Sequence, residues 1–219
     1  LSNSNARGVA LGDLNGDGDL EAYVVNGGGQ PDKVWLSNGK GVFTDSGQSL
    51  GSSDGRAVAL GDLDGDGDLD AFVVNAGGQP DKVWLNAGTG TFADSGQSLG
   101  ATDSRAVALG DFNGDGHLDA FVVTGGTEPD RIWLNAGNGT FTDSGQSFGA
   151  SDGRGVALGD LNNDGHLDAF VVNAGGQSGR VWLNNGWGVL VSGQSLAVSD
   201  GRGVALGDFD GDGDLDALV

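Results

Sequence analysis

The sequence has no cysteine and no methionine, and only three of its 219 residues are proline and one is tyrosine. Without cysteine, neither disulfide bonds nor thiol chemistry can contribute to stability or catalysis. Basic residues are also scarce: the chain has 10 of them and 31 acidic residues. The basic residues are spread along the chain instead of forming a patch. A net charge of −21 repels phosphate backbones and anionic lipids, so we expect no nucleic-acid partner.

Long hydrophobic runs are missing as well. No stretch reaches the ~18 apolar residues of a transmembrane helix, and no signal peptide or lipidation motif is visible. We therefore expect no membrane insertion.

The dominant feature of the chain is an internal repeat with a period of about 49 residues. Asp13, Asp62, Asp111 and Asp160 are spaced by 49 residues, and Asp208 follows after 48. We divide the chain into unit one (1–49), unit two (50–98), unit three (99–147), unit four (148–195) and a partial unit five (196–219). A period in this range is typical of propellers and solenoids, so we predict one repeat array.

Each unit is predicted to contain four short strands, which in unit two cover 56–61, 69–75, 82–86 and 91–99. No helical periodicity is present, and the second strand is apolar on both faces, as expected for a strand covered on both sides. The predicted fold is all-β, a β-propeller of four-stranded blades with about five blades visible and the last one partial.

A nine-residue loop joins the first two strands of every unit. In unit two it places carboxylates at positions 1, 3, 5 and 9 (Asp62, Asp64, Asp66 and Asp70) and a glycine at position 6. Ca²⁺ takes six to eight oxygen ligands, which this pattern can supply. The alternative is an Asp-Gly turn facing water, but carboxylates packed this closely repel each other by ~1–3 kcal/mol per pair. An EF-hand is excluded because its loop has 12 residues and is flanked by helices.

The pattern predicts up to five Ca²⁺ sites. The predicted side-chain ligands at positions 1, 3, 5 and 9 are Asp13, Asn15, Asp17 and Glu21; Asp62, Asp64, Asp66 and Asp70; Asp111, Asn113, Asp115 and Asp119; Asp160, Asn162, Asp164 and Asp168; and Asp208, Asp210, Asp212 and Asp216. The residues at position 7 are expected to contribute only a backbone carbonyl: Asp19, Asp68, His117, His166 and Asp214. Seventeen of the 31 carboxylates are thus proposed ligands, and five bound ions would reduce the net charge to −11.

Residues 55–74, Gly-Arg-Ala-Val-Ala-Leu-Gly-Asp-Leu-Asp-Gly-Asp-Gly-Asp-Leu-Asp-Ala-Phe-Val-Val, resemble the FG-GAP or VCBS repeat of integrin α-subunit-like propellers. The resemblance covers the whole chain. It implies Ca²⁺ at the aspartates of each loop, a propeller fold, and extracellular or cell-surface work in adhesion or ligand binding. Calcium loops of this kind also suit the higher calcium concentration outside cells.

Two classes of function remain, beside a third possibility that the chain is a fragment or a design with no evolved ligand. The favoured one is a calcium-stabilised scaffold that recognises a protein, and the alternative is a lectin that binds glycans in pockets between blades. An enzyme is not expected, because the chain has no nucleophile–base motif and its two histidines occupy equivalent positions in different units.

Three other sets of residues allow two interpretations each. The arginines that precede the first strands (Arg7, Arg56, Arg105, Arg154 and Arg202) either bind an anion or pair with a nearby Asp54 or Asp152, and we favour pairing. The tryptophans of the third strands (Trp35, Trp84, Trp133 and Trp182) are predicted to pack between units and not to form sugar platforms. Trp187 lies in a loop and is predicted to be exposed.

The partial unit five contains only a first and a second strand. The chain therefore has five copies of the first two strands and four copies of the last two, which indicates a fragment of a longer propeller or a product of repeat amplification. Unpaired strand edges favour pairing with another chain, so we predict self-association through residues 207–219.

Overall fold

A computed structural model describes residues 5–197 and 200–219. The regular structure of these residues consists of twenty β-strands. They are β1 (Ala6–Gly12), β2 (Glu21–Asn26), β3 (Lys33–Ser37), β4 (Phe43–Asp45), β5 (Gly55–Gly61), β6 (Asp70–Asn75), β7 (Gln79–Asn86), β8 (Phe92–Asp94), β9 (Leu99–Thr102), β10 (Ser104–Gly110), β11 (Asp119–Thr124), β12 (Pro129–Asn135), β13 (Phe141–Asp143), β14 (Phe148–Ala150), β15 (Gly153–Gly159), β16 (Asp168–Asn173), β17 (Gly179–Asn184), β18 (Leu190–Leu196), β19 (Ala205–Gly207) and β20 (Asp216–Leu218). Within these ranges no helix is long and apolar enough to cross a membrane.

The strands form antiparallel sheets in chain order. Units one to four each form a sheet with the order first, second, third and fourth strand, and β19 pairs with β20 in a two-stranded sheet. The second strands β6, β11 and β16 are buried along their entire length, which agrees with their apolar residues on both faces.

The predicted fourth strand differs from the observed one. In unit two the chain forms two short strands, β8 and β9, which both pair with β7 at different positions. The eight-residue β7 is long enough to pair with both, and β9 lies beyond the predicted boundary of unit two. Unit three repeats this arrangement with β13 and β14, whereas unit four has the single strand β18.

Consecutive units pack against each other through their first strands, and β1, β5, β10, β15 and β19 are neighbours in that order. Each hydrophobic cluster spans two units: one joins units one and two, the next joins two and three, and another joins three and four. Gly12 shows how close this contact is, since a Cβ there would lie 2.6 Å from Cδ1 of Leu69 and 3.2 Å from Cδ1 of Leu60. The core of this protein therefore lies between its sheets.

Candidate metal centre

Each acidic loop folds around the aspartate at its position 1. In loop two, the backbone N–H of Gly65 donates to Asp62 Oδ1 at 2.7 Å, and that of Gly67 donates to Oδ2 at 3.0 Å. Gly67 has a φ of 93°, which residues with a Cβ rarely adopt. These bonds hold the first carboxylate at the centre of the turn before any ligand arrives.

Three of the five loops bring three carboxylates together, with one oxygen of each within 4.8 Å of the others. The groups are Asp13, Asp17 and Glu21; Asp62, Asp64 and Asp66; and Asp208, Asp210 and Asp212. Partial burial and the negative charges of Asp66 and Asp62 raise the pKa of Asp64. Such repulsion is relieved by a cation, and carboxylate oxygens are the ligands that hard divalent ions prefer. The chain therefore contains Asp-rich groups that can hold a metal ion.

Asparagine occupies position 3 in loops one, three and four, and loops three and four show its effect. The Nδ2 atoms of Asn113 and Asn162 donate to the position-5 residues Asp115 and Asp164, at 2.9 Å in both loops. A neutral amide that donates to the position-5 aspartate avoids the repulsion that a third carboxylate would create. These two loops thus offer the predicted oxygen atoms with one negative charge fewer than loop two.

The position-9 carboxylates lie in the framework beneath the loops. Asp70 is fully buried, and it accepts the backbone N–H of Leu63 at 2.9 Å and that of Asn86 at 2.8 Å. Burial raises its pKa to about 6, and the pKa of Asp119 is raised to about 6 in the same way. Glu21, Asp119 and Asp168 make equivalent bonds. In units one to four, position 9 therefore ties the loop to the third strand of its own unit, and the longer Glu21 also reaches the acidic group of loop one.

The residues at position 7 lie beside the hairpin between the third and fourth strands. The imidazoles of His117 and His166 are exposed and lie against Gly137 and Gly186. In unit five, Asp214 Oδ1 accepts a hydrogen bond from Asn163 Nδ2 at 2.6 Å, which links loops four and five. The exposed histidine rings thus contact the neighbouring hairpin and not the acidic groups.

Sequence reasoning missed a set of asparagines that connect neighbouring units. Asn86 Nδ2 donates to the carbonyl of Leu14, at position 2 of the preceding loop, at 2.9 Å. Asn135 and Asn184 make the same bond to Leu63 and Phe112 at 2.8 Å. Since the backbone of Asn86 also binds Asp70, a continuous row of hydrogen bonds runs from loop to loop. The sequence signal for this set was the recurrence of asparagine every 49 residues at the end of the third strand.

A second missed set consists of buried aspartates at or just before the start of the third strands. Asp32, Asp81 and Asp130 each accept the backbone N–H of the last residue of the second strand at 2.8 Å. Burial raises the pKa of each to about 7. The repeated Pro-Asp pair at these positions was the sequence signal, and unit four replaces it with Ser178-Gly179.

Four of the five arginines that precede the first strands pair with aspartates, and three of the four third-strand tryptophans pack between units, as the favoured interpretations predict: Arg7, Arg56, Arg105 and Arg154, and Trp84, Trp133 and Trp182. Arg105 pairs with Asp103 at 2.7 Å and with Asp152 of the next unit at 2.8 Å, and Arg154 also pairs with Asp152. The Trp84 ring packs in the cluster between units one and two. Trp187 is 82% exposed.

The repeats match a known family. The model of the FG-GAP-like repeat matches four overlapping segments, residues 13–73, 62–122, 111–171 and 160–219. The chain therefore belongs to the FG-GAP-like repeat family. No curated protein matches it significantly.

Several solved structures share the fold. A functionally unknown protein from Desulfotomaculum acetoxidans is 16% identical with a TM-score of 0.64, over 88% of this chain and 56% of that one. A protein from Lactobacillus plantarum is 18% identical with a TM-score of 0.63, over 85% of this chain and 57% of that one. The biofilm matrix protein Bap1 of V. cholerae is 19% identical with a TM-score of 0.54, over 98% of this chain and 34% of that one. This chain spans just over half the length of the first two proteins.

Proposed function

We propose that this chain is a calcium-binding β-propeller scaffold for recognition outside the cell, of the adhesion type, with no catalytic activity. The propeller is supported by four-stranded sheets in chain order whose first strands are neighbours and whose cores lie between the sheets. The single observation that carries calcium binding is the convergence of three carboxylates in the preformed loops. The oxygens at positions 1, 3 and 5, joined at position 9 by Glu21 in loop one, would hold the ion, which would supply positive charge at the turn and no reaction chemistry.

Calcium removal tests this proposal. A site filled at 100 times its dissociation constant stabilises the folded state by about 2.7 kcal/mol, so several sites together rival the ~5–15 kcal/mol of a typical domain. We expect the melting temperature in millimolar CaCl₂ to exceed that in chelator by many degrees, with Mg²⁺ as the control. Equal melting in both buffers would refute calcium binding, and the adhesion role would then lose its support.

A glycan-binding role is the second candidate, favoured by the exposed Trp187 in the hairpin of unit four. A glycan array distinguishes the two, because a protein-recognition scaffold should retain no glycan above background. Trp187→Ala should abolish any glycan signal that is found, whereas removal of the buried Trp84 should act through stability.

We also propose that copies of this 219-residue chain associate. Leu11 and Leu20 are 58% and 55% exposed, while their equivalents Leu60 and Leu69 pack on Gly12 of the preceding unit. Phe209 is also 61% exposed. Light scattering should show association that rises with concentration and falls in Leu11→Glu. A wild-type chain that stays monomeric at high concentration would contradict this.

A further inference from the structure

A cavity of about 290 Å³ lies between units three and four, away from the acidic loops. Its apolar wall includes Phe148, Val171 and Trp182, and its polar lining includes Asp130 and Arg180. A volume near 300 Å³ is at the small end of ligand sites, and a few polar groups in an apolar wall are typical of them. Arg180 lacks the carboxylate partner that its equivalents have, and one oxygen of Asp130 accepts no hydrogen bond from the described residues.

Asp130 is the buried acceptor of this cavity, since its exposure is only 1%. Its Oδ1 accepts the backbone N–H of Thr124 at 2.8 Å, but Oδ2 receives no hydrogen bond from the described residues. In unit two, the equivalent Asp81 Oδ2 accepts from Ser104 Oγ at 2.9 Å. Unit four has Gly153 at the position of Ser104, as unit two has Gly55 beside Asp32, so no serine donates to Asp130 at the cavity.

Arg180 is the cation of the cavity. Its equivalents Lys33, Lys82 and Arg131 pair with Asp45, Asp94 and Asp143 at 3.6, 3.5 and 2.8 Å. Asp143 lies opposite Trp133 in the sheet, whereas Ser192 lies opposite Trp182, so unit four has replaced the counterion by a serine. Within 5–197 and 200–219, no carboxylate pairs with Arg180, and its guanidinium lies 5.4 Å from the centre of the Trp182 ring.

We propose that this cavity binds a small zwitterion, an α-amino acid with an apolar side chain. The ligand carboxylate pairs with the Arg180 guanidinium, which matches carboxylate geometry with two parallel N–H donors. The ligand ammonium donates to Asp130, whose Oδ2 accepts no hydrogen bond from the described residues. The apolar side chain lies against Phe148 and Val171. A neutral sugar would leave the arginine without a counterion, so the charges favour a zwitterion.

Calorimetry on the whole chain in calcium buffer tests this with probes that differ in one charge. The probes are L-valine, L-leucine and L-phenylalanine. They are compared with 3-methylbutylamine, which is leucine without its carboxylate, with 4-methylpentanoate, which is leucine without its ammonium group, and with glucose. We expect at least one amino acid to bind and both single-charge analogues to bind about tenfold more weakly or worse, because each loses a charge-assisted contact. Failure of all three amino acids, equal binding of either analogue, or preferential binding of glucose would overturn the proposal.

Ser192→Asp is the decisive variant, because it restores the counterion found in the other three units while leaving the cavity wall unchanged. Ser192 is exposed, so the substitution should not affect folding. We expect it to weaken amino-acid binding at least tenfold. The matched control is Asp143→Ser, which frees the equivalent Arg131 outside the cavity and should leave binding unchanged. Unaltered binding in Ser192→Asp, or equal losses in both variants, would contradict the assignment. Because this test reads amino-acid binding, its outcome is independent of whether calcium binds.

Discussion

Units two and four share a framework of hydrogen bonds and differ in several of the polar groups around it. In both, the position-9 aspartate accepts the N–H groups of position 2 and of the last residue of the third strand. Unit two adds a third carboxylate in its loop, a Pro-Asp pair and a Lys82–Asp94 ion pair. Unit four has asparagine, Ser178-Gly179 and an arginine without its aspartate. The bonds of the position-9 aspartate are thus common to both units, whereas the groups that differ lie in the acidic loop, at the buried start of the third strand and beside the third strand.

The largest effect should come from removing the shared anchor. Asp70→Ala and Asp168→Ala each leave two backbone N–H groups without an acceptor, at about 1–3 kcal/mol per group. We expect both to lower the free energy of unfolding by roughly 2–6 kcal/mol in chelator, as measured by urea denaturation. A loss confined to calcium buffer would show that position 9 is only a metal ligand.

The difference in loop charge should appear as a difference in calcium affinity. Asp64→Asn gives loop two the same side chains at positions 3 and 5 as loop four. The loss of one negative charge a few ångström from the ion should weaken one site about tenfold, or about 1.4 kcal/mol. Calorimetric titration measures this. Asn162→Asp is the reverse change in unit four and should strengthen a site, and no change in either variant would contradict the assigned ligands.

The buried Asp81, which unit four lacks, should make stability depend on pH. Its folded pKa of about 7 lies above the ordinary value of 3.8, so between these values the folded state binds more protons than the unfolded state. Stability should therefore fall as pH rises from about 4 to 7, by up to 1.4 kcal/mol per pH unit for this group. In chelator, Asp81→Asn should have a flatter profile over this range than the wild type. Parallel profiles would mean that Asp81 is already ionised in the folded protein.

The smallest effect is expected at position 7. The His117 side chain is exposed and lies against the hairpin residue Gly137, so His117→Ala should change stability by less than about 0.5 kcal/mol and leave calcium affinity unaltered. The matched variant Asp115→Ala, at position 5, should abolish one site. Equal calcium losses in the two variants would refute the assignment of ligands within the loop.

The sequence was informative where the determinants are local. The 49-residue period, the loops and the first three strands follow from turn chemistry and strand patterns within a few residues. The divided fourth strand was missed because β9 pairs only with the extended start of β7. The role of Asn86 and the free charge of Arg180 depend on which residues lie opposite each other in separate strands and units. No single stretch of sequence specifies these pairings.

The asparagine row has a consequence for how the loops fill. The Asn86 side chain binds the backbone of loop one, and its own backbone binds the carboxylate that anchors loop two. An ion that orders loop one therefore also orders Asn86, and through it Asp70, the carboxylate that anchors loop two. Because such coupling is reciprocal, occupancy should spread from neighbour to neighbour, and the titration should be steeper than that of independent sites. The loops of the repeat array would then fill with calcium cooperatively.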